Sequence, residues 1–159
     1  MHTETVMRIR GSADAVFHYA ARVECWPKWL PHYRSVRELG ALGLTRTVEM
    51  KARRGPLPVW WWARQVRLPE ERRIRYTHVR GVTRGMEVEW RLEPAPAGDV
   101  VVVTVVHDLD LRWPLVGGAV ARWILGPLFV EPIAKRTLAR IKELVEGSRP
   151  ERPEKPVRT

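Results

Sequence analysis

The segment Trp26-Pro27-Lys28-Trp29-Leu30-Pro31-His32-Tyr33 constrains this chain more than any other, because of what flanks it. Ahead of it stand one strand-like stretch, Thr3 to Arg10, and one short amphipathic helix. Behind it, alternating and turn-punctuated sequence runs as far as Arg112 and gives way to a single long helix. Proline fixes φ and removes a backbone donor. An aromatic, proline-stiffened corner between a helix and a sheet is therefore poor material for a minimal core and good material for the lip of a pocket.

Local chemistry supports this division. Ser12 is a favourable N-cap, and Asp14 suits the positive end of the helix dipole. From Ala13 to Arg22 the spacing puts Val16, Phe17, Ala20 and Val23 on one stripe. Strands are expected at Val36–Leu39, Leu44–Arg53, Val59–Leu68, Ile74–Val79, Met86–Glu93 and Val100–Arg112. They are separated by Gly55-Pro56, Pro69-Glu70-Glu71, Gly81–Gly85 and Pro94–Asp99. A short helix is expected up to Leu125, then a longer one that Pro127 can open, with Ala134, Leu138, Ile141 and Val145 facing inward. This is an α+β pattern: a seven-stranded antiparallel sheet curved around a C-terminal helix, with two short helices between strands 1 and 2. Residues 1–147 form one domain in this reading, and 148–159, with Pro150, Pro153 and Pro156 among charges, a disordered tail.

The single cysteine, Cys25, rules out an internal disulfide framework, and the first ten residues carry no apolar signal region. The least polar window, Trp113 to Ile133, is broken by Gly117-Gly118, Arg122, Gly126-Pro127, Glu131 and Pro132, so no membrane span is expected and a cytoplasmic setting is. The net charge of +10 raises the question of nucleic acid or anionic membrane. The arginines are scattered, however, and interleaved with Glu87, Glu89, Glu93, Glu143 and Glu146, as on a solvated surface. No DNA partner is expected. Peripheral contact with membrane or RNA through the basic surface stays open, as do monomer and homodimer.

Side-chain alternation sorts the strands into faces. Val101, Val103, Val105, His107, Leu109 and Leu111 share one face, which turns His107 inward. Trp61, Ala63, Gln65 and Arg67 share a face, and Trp60, Trp62, Arg64 and Val66 the opposite one. At least one ring of Trp60-Trp61-Trp62 must then sit outside, either as a partner or membrane contact or shielded beneath arginines. His107 and His78 have the titration range of general acid/base groups, although a strand histidine is also a common structural hydrogen-bonding residue. Arg67 has the fork to bind a carboxylate, phosphate or enolate oxygen, or to pair with Glu49 or Glu87. No Ser-His-Asp set, phosphate loop, dinucleotide fingerprint or metal-ligand spacing is present, so neither cofactor nor metal is expected.

Five pieces in order carry a family resemblance. They are Ser12-Ala-Asp-Ala-Val-Phe17, the Trp26-Pro27…Tyr33 corner, the strand ending Arg67-Leu68-Pro69, Trp90-Arg-Leu-Glu-Pro94, and the closing helix from Ala134 to Glu146. Together they resemble the START-like helix-grip superfamily, with its polyketide cyclase (aromatase/cyclase) and coenzyme-Q-binding branches. The resemblance implies a hydrophobic cavity between sheet and long helix, its mouth near the Trp-Pro corner. In the aromatase/cyclase branch an aromatic at the Trp26 position, a tyrosine at the Tyr33 position and a fourth-strand arginine line it. Anchoring on Arg-Leu-Pro makes that arginine Arg67; anchoring on the tryptophans makes it Arg64. Gln65 stands where that branch often has a small hydroxyl residue.

The candidate ligand-binding set is thus Trp26, Trp29, Tyr33, Trp61, Gln65, Arg67, Tyr76, His78, Trp90, Val105, His107 and Leu138, with Arg67, Tyr33 and His107 as candidate catalytic groups. Three functions follow from different classes. The first is a binding module for a hydrophobic small molecule such as a polyketide, isoprenoid quinone or lipid. The second is an aromatase/cyclase performing aldol-type cyclisation and dehydration. The third is a basic protein contacting RNA, ribosome or membrane.

Overall fold

The computed structural model describes residues 1–109 and 129–148. Strand β1 (His2–Arg10) leads to helix α1 (Ala13–Ala21), a 3-10 turn at Val23–Cys25 and a one-turn helix α2 (Trp26–Trp29). Six strands follow: β2 (Tyr33–Leu42), β3 (Thr45–Arg54), β4 (Leu57–Leu68), β5 (Arg73–Gly81), β6 (Glu87–Pro94) and β7 (Val100–Asp108). Helix α3 (Glu131–Gly147) closes the described chain. The expected short helix before Leu125, the opening role of Pro127, the strand residues beyond Leu109 and the tail from 149 onward lie outside the described residues. In α3 the first-turn proline is Pro132.

The seven strands form one antiparallel sheet in the order β1-β7-β6-β5-β4-β3-β2. From β2 to β7 each strand is a hairpin neighbour of the last, and β7 closes beside β1. The chain must therefore cross from one sheet edge to the other between β1 and β2, and α1, the turn and α2 make that crossing. The Ser12 hydroxyl accepts from the Ala15 N–H at 3.1 Å, satisfying one of the free donors of the first turn of α1. Leu138 and Ile141, on the inward stripe of α3, are fully buried, as are Val16 and Ala20 on α1. The inner sheet face packs against them through Ile9, Val48, Met50, Ile74, Leu92 and Val103.

Strand β2 is longer than its expected core of Val36–Leu39. It is an edge strand exposed along most of its length, with register shifts at Tyr33/Ser35 and Glu38/Gly40. Exposed on both faces, it carries no alternation for sequence to reveal, and its irregular ladder discourages edge-to-edge pairing.

Two glycines permit close approaches. A Cβ at Gly11 would lie 2.6 Å from Val145 Cγ1, which seats the end of α3 on the β1–α1 junction. At Gly81 (φ +100°) a Cβ would lie 2.5 Å from the Trp60 carbonyl oxygen and 2.8 Å from Trp61 Cα. This approach adjoins the register shift at Trp62/Ala63 that places Trp61 opposite Gly81. Gly81→Ala combines a left-handed φ with a backbone clash and is expected to lower stability by about 2 kcal/mol or more, read as a fall in thermal midpoint.

Candidate functional site

A cavity of about 90 Å³ lies between the sheet and the N-terminal half of α3. Its aromatic wall is a chain of rings. Trp26 meets Tyr33 edge-on at 4.8 Å and lies 6.1 Å from Trp90; Tyr33 lies 6.2 Å from Trp61, and Trp61 stacks on His78 at 5.5 Å with planes 10° apart. Offset and edge-on ring pairs of this kind hold their partners in fixed orientations. Trp26 is aimed by its own α-helical turn and by its indole N–H, which donates to the Tyr19 carbonyl at 2.9 Å. Tyr33 starts β2, so corner and sheet meet at this pair.

Eight of the twelve sequence-derived candidates line the cavity: Trp26, Tyr33, Trp61, Tyr76, His78, Trp90, Val105 and His107. Trp29, Gln65, Arg67 and Leu138 do not. Trp29, one turn further along α2, packs edge-on against Tyr19 of α1 at 4.8 Å. Leu138 is fully buried in the packing beyond the cavity. Arg67 shares the inward parity of Trp61, but six residues of strand separate them, about 20 Å. Its Nε is buried without a hydrogen-bond partner among the described residues. Arg64 points outward and is exposed. Neither arginine reaches the wall.

Gln65 belongs instead to a polar layer on the inner side of the sheet. Its amide nitrogen donates to Tyr76 Oη at 2.9 Å and to the Ala21 carbonyl at 3.0 Å, while its oxygen accepts from Arg46 Nε at 2.6 Å. Arg46, buried on β3 and not singled out by sequence, also donates to the Ala21 carbonyl and to Glu24 and Glu38. The inner-face parity of Arg46 with Val48 and Met50 was the available signal. The remaining wall comes from Met50, Val59, Thr83, Met86 and Val88 on the sheet side and Phe129, Val130, Ile133, Ala134 and Thr137 on the helix side. Phe129, Ile133 and Val59 are the half-buried members. Among the described residues the half-buried members of the wall lie at the start of β4 and the entry to α3, whereas Trp26 and Tyr33, at the corner expected to form the mouth, are buried.

The described wall carries no carboxylate, lysine or arginine. Burial drives the His78 imidazole down to about 3, with the neighbouring His107 acting in the same direction, and drives His107 down to about 4 against the pull of Asp108. Both are neutral near pH 7. Burial likewise pushes the Tyr33 and Tyr76 phenols up, so they stay protonated donors. His78 Nδ1 pairs with Thr83 Oγ1 at 2.6 Å, whereas His107 Nδ1 is buried without a partner among the described residues. Near pH 7 the site can offer uncharged hydrogen bonds and flat apolar surface. Among the described residues no three His, Cys, Asp or Glu side chains converge as metal ligands.

On the outer face, the Arg80 guanidinium lies 4.7 Å from the Trp62 ring and 6.0 Å from that of Trp60, and Trp62 Nε1 donates to Glu49 at 3.0 Å. The outward tryptophans are thus dressed by polar side chains, with Trp60 still 42% exposed. No helix among the described residues is long and apolar enough to cross a membrane.

The geometry agrees with what comparison finds. The chain is similar over 92% of its length to the Zhui aromatase/cyclase from a Streptomyces species, at 22% identity and TM-score 0.81, covering 93% of that chain. A Thermus thermophilus protein matches at 17% identity and TM-score 0.79, over 94% of this chain and all of the other. A START superfamily protein from Mycobacterium smegmatis matches at 15% identity and TM-score 0.72, over 92% of this chain and 97% of that one. These likenesses establish a START-like helix-grip fold. Among curated proteins nothing matches. The family model for polyketide cyclase/dehydrase and lipid transport matches residues 9–128, most of the chain, and the chain belongs to that family.

Proposed function

We propose that this protein binds a hydrophobic small molecule, of the polyketide, isoprenoid quinone or lipid kind, between the sheet and α3. One observation carries the reading: a continuous aromatic wall, uncharged among the described residues, around a cavity open to one side. Flat rings give large contact area at little entropic expense. Free Cys25 fits a cytoplasmic setting.

The cavity of about 90 Å³ is smaller than a drug-sized ligand needs, since such sites start at roughly 300 Å³. Loading therefore requires the wall to spread. The C-terminal half of α3 is tied to β1 by Lys142 Nζ donating to the Arg8 carbonyl at 2.7 Å and by Glu146 accepting from the Arg10 N–H at 3.0 Å. Its N-terminal turns supply lining side chains, and they are the part that moves in this reading.

A cyclase reading draws on His107 Nδ1, the orphaned polar atom in the wall, with the Tyr33 phenol as a donor to a ketone oxygen. A base whose pKa sits near 4 is poorly matched to proton abstraction at pH 7. Binding is accordingly placed first. Turnover of an enolisable poly-β-ketone that is unchanged in His107→Phe would sink the cyclase alternative.

The test is a titration of tryptophan emission with a neutral tricyclic aromatic quinone. Micromolar binding is expected, with less than a twofold change between 50 and 500 mM salt, and it should be lost in Ala134→Phe, which fills the cavity from α3. Affinity that falls steeply with salt would instead assign binding to the basic surface.

A further inference from the structure

A second depression, about 480 Å³, lies on the outer surface beside the Trp-Pro corner. Its floor includes His32, only 5% exposed, and its rim carries Arg34 from β2, Arg53 from β3, and Arg136 and Arg140 from α3. Two hydrogen bonds set its shape. The Arg53 N–H donates to the His32 carbonyl at 2.8 Å, and Arg140 Nε donates to the Trp29 carbonyl at 3.0 Å. The one acidic side chain on its described lining, Glu143, is already engaged by Arg140 at 2.7 Å. Arg34, Arg53 and Arg136 have no carboxylate partner among the described residues.

His32 makes this more than an arginine-rich patch. Its Nε2 is hydrogen-bonded to Thr137 Oγ1 at 2.9 Å, and its Nδ1 is buried with no partner among the described residues. A buried polar atom left unpaired in a folded protein asks for an occupant. Thr137 is also a lining residue of the aromatic cavity, as is Tyr33, the next residue along. The groove and the cavity are therefore separated by a single histidine–threonine pair. One space is cationic; the other is apolar.

We propose that the groove binds the oxyanion, phosphate or carboxylate, of an amphiphile whose apolar part occupies the cavity. Guanidinium forks from two strands and one helix match such an anion in bidentate fashion, and the His32–Thr137 pair is the partition around which the two parts of the ligand are disposed. This rests on the cavity reading above but fails separately from it. Burial and the Arg136 charge hold the His32 imidazole down at about 4, so an anion seated in the groove should raise it.

The experiment is calorimetric titration of the full chain with octyl phosphate, octanol and inorganic phosphate, repeated on the double variant Arg53→Gln/Arg136→Gln. Both replaced side chains are exposed, and circular dichroism checks that the fold is kept. Octyl phosphate is expected to bind at least tenfold tighter than octanol, with the preference shrinking below threefold in the double variant. The His32 ring proton resonance should titrate at higher pH when octyl phosphate is bound. Equal affinity for octyl phosphate and octanol overturns the groove while leaving the cavity reading intact. A preference undiminished in the double variant overturns it too. Inorganic phosphate binding as tightly as octyl phosphate, with no octanol binding, overturns the shared-ligand proposal and leaves a free-anion site.

Discussion

Moving the protein from about pH 7.5 to about pH 5 is expected to remove much of its folding free energy. His32, His78 and His107 are all buried, and burial holds them at about 4, 3 and 4 against an ordinary 6.5. Unfolded, each takes up a proton as the pH falls through 6.5; folded, each resists until near its own lowered value. The unfolded state therefore binds more protons across this window, so stability is full above about pH 6.5 and declines below it. Each histidine contributes about 1.4 kcal/mol per pH unit, or about 6 kcal/mol in all by pH 5, against typical totals of 5–15 kcal/mol. Below that window Glu24 and Glu89 add to the loss. Burial alone would raise both carboxyls, but hydrogen bonds and arginine charges outweigh it and hold them low, so their contribution disappears as they protonate. Urea midpoints at the two pH values measure the effect, and His107→Gln should flatten the slope by about a third. Midpoints unchanged between the two would mean that the three rings are not held neutral by the fold.

Among the described residues, replacing Arg46 by alanine should be the most damaging substitution of a charged residue. The side chain is 6% exposed and joins four groups: Gln65 at 2.6 Å, Glu24 at 2.7 Å, the Ala21 carbonyl at 2.9 Å and Glu38 at 3.2 Å. It thereby fastens the C-terminal end of α1, where carbonyls lack intrahelical partners, to β3 and β4. Removal strands the Gln65 oxygen and leaves a cavity beneath the crossing helix. Breaking a buried charged network of this kind costs about 3–5 kcal/mol, and at about 2–4 °C per kcal/mol for a domain of this size the midpoint should drop by about 10 °C. Arg46→Lys should recover only part of this, because an ammonium cannot reproduce the fork. A drop of a degree or two would show that the layer contributes little. Tyr76, which belongs both to this layer and to the cavity wall, links the two: its hydroxyl accepts from Gln65 while its ring lines the cavity.

Alternation alone makes much of this architecture legible in the sequence. The parity that pairs Trp61 with Gln65 and turns His107 inward is a property of the strand itself, and in the structure those side chains lie on the buried face. Parity gives the side of a sheet but not the position along it, which is why Arg67 and Trp61 could be grouped although their strand separates them by about 20 Å. Residue type misled in the same place. An arginine on an inward face suggested an anion receptor, while the arginine that enters the core, Arg46, hides in a strand whose turn signals drew no attention to it. Thr83 and Thr137 were invisible for a different reason: each earns its place through a long-range or loop contact, with His78 and His32 respectively, that no local periodicity encodes. The Trp-Pro corner, expected at the lip of a pocket, contributes Trp26 and Tyr33 to the buried wall of the cavity. Pro27 lets the segment wind into a helical turn, and that turn carries the Trp26 ring into the interior.

The central claim, that the aromatic cavity is a ligand site, is tested most directly by native mass spectrometry of freshly purified protein and of Ala134→Phe. Both are incubated with a panel of neutral quinones and long-chain lipids, and whatever travels with them is extracted into organic solvent. A one-to-one adduct on the parent protein, extractable as an apolar molecule and absent from the cavity-filled variant, is the expected result. An adduct held equally by both proteins, or none on either across the panel, would contradict it.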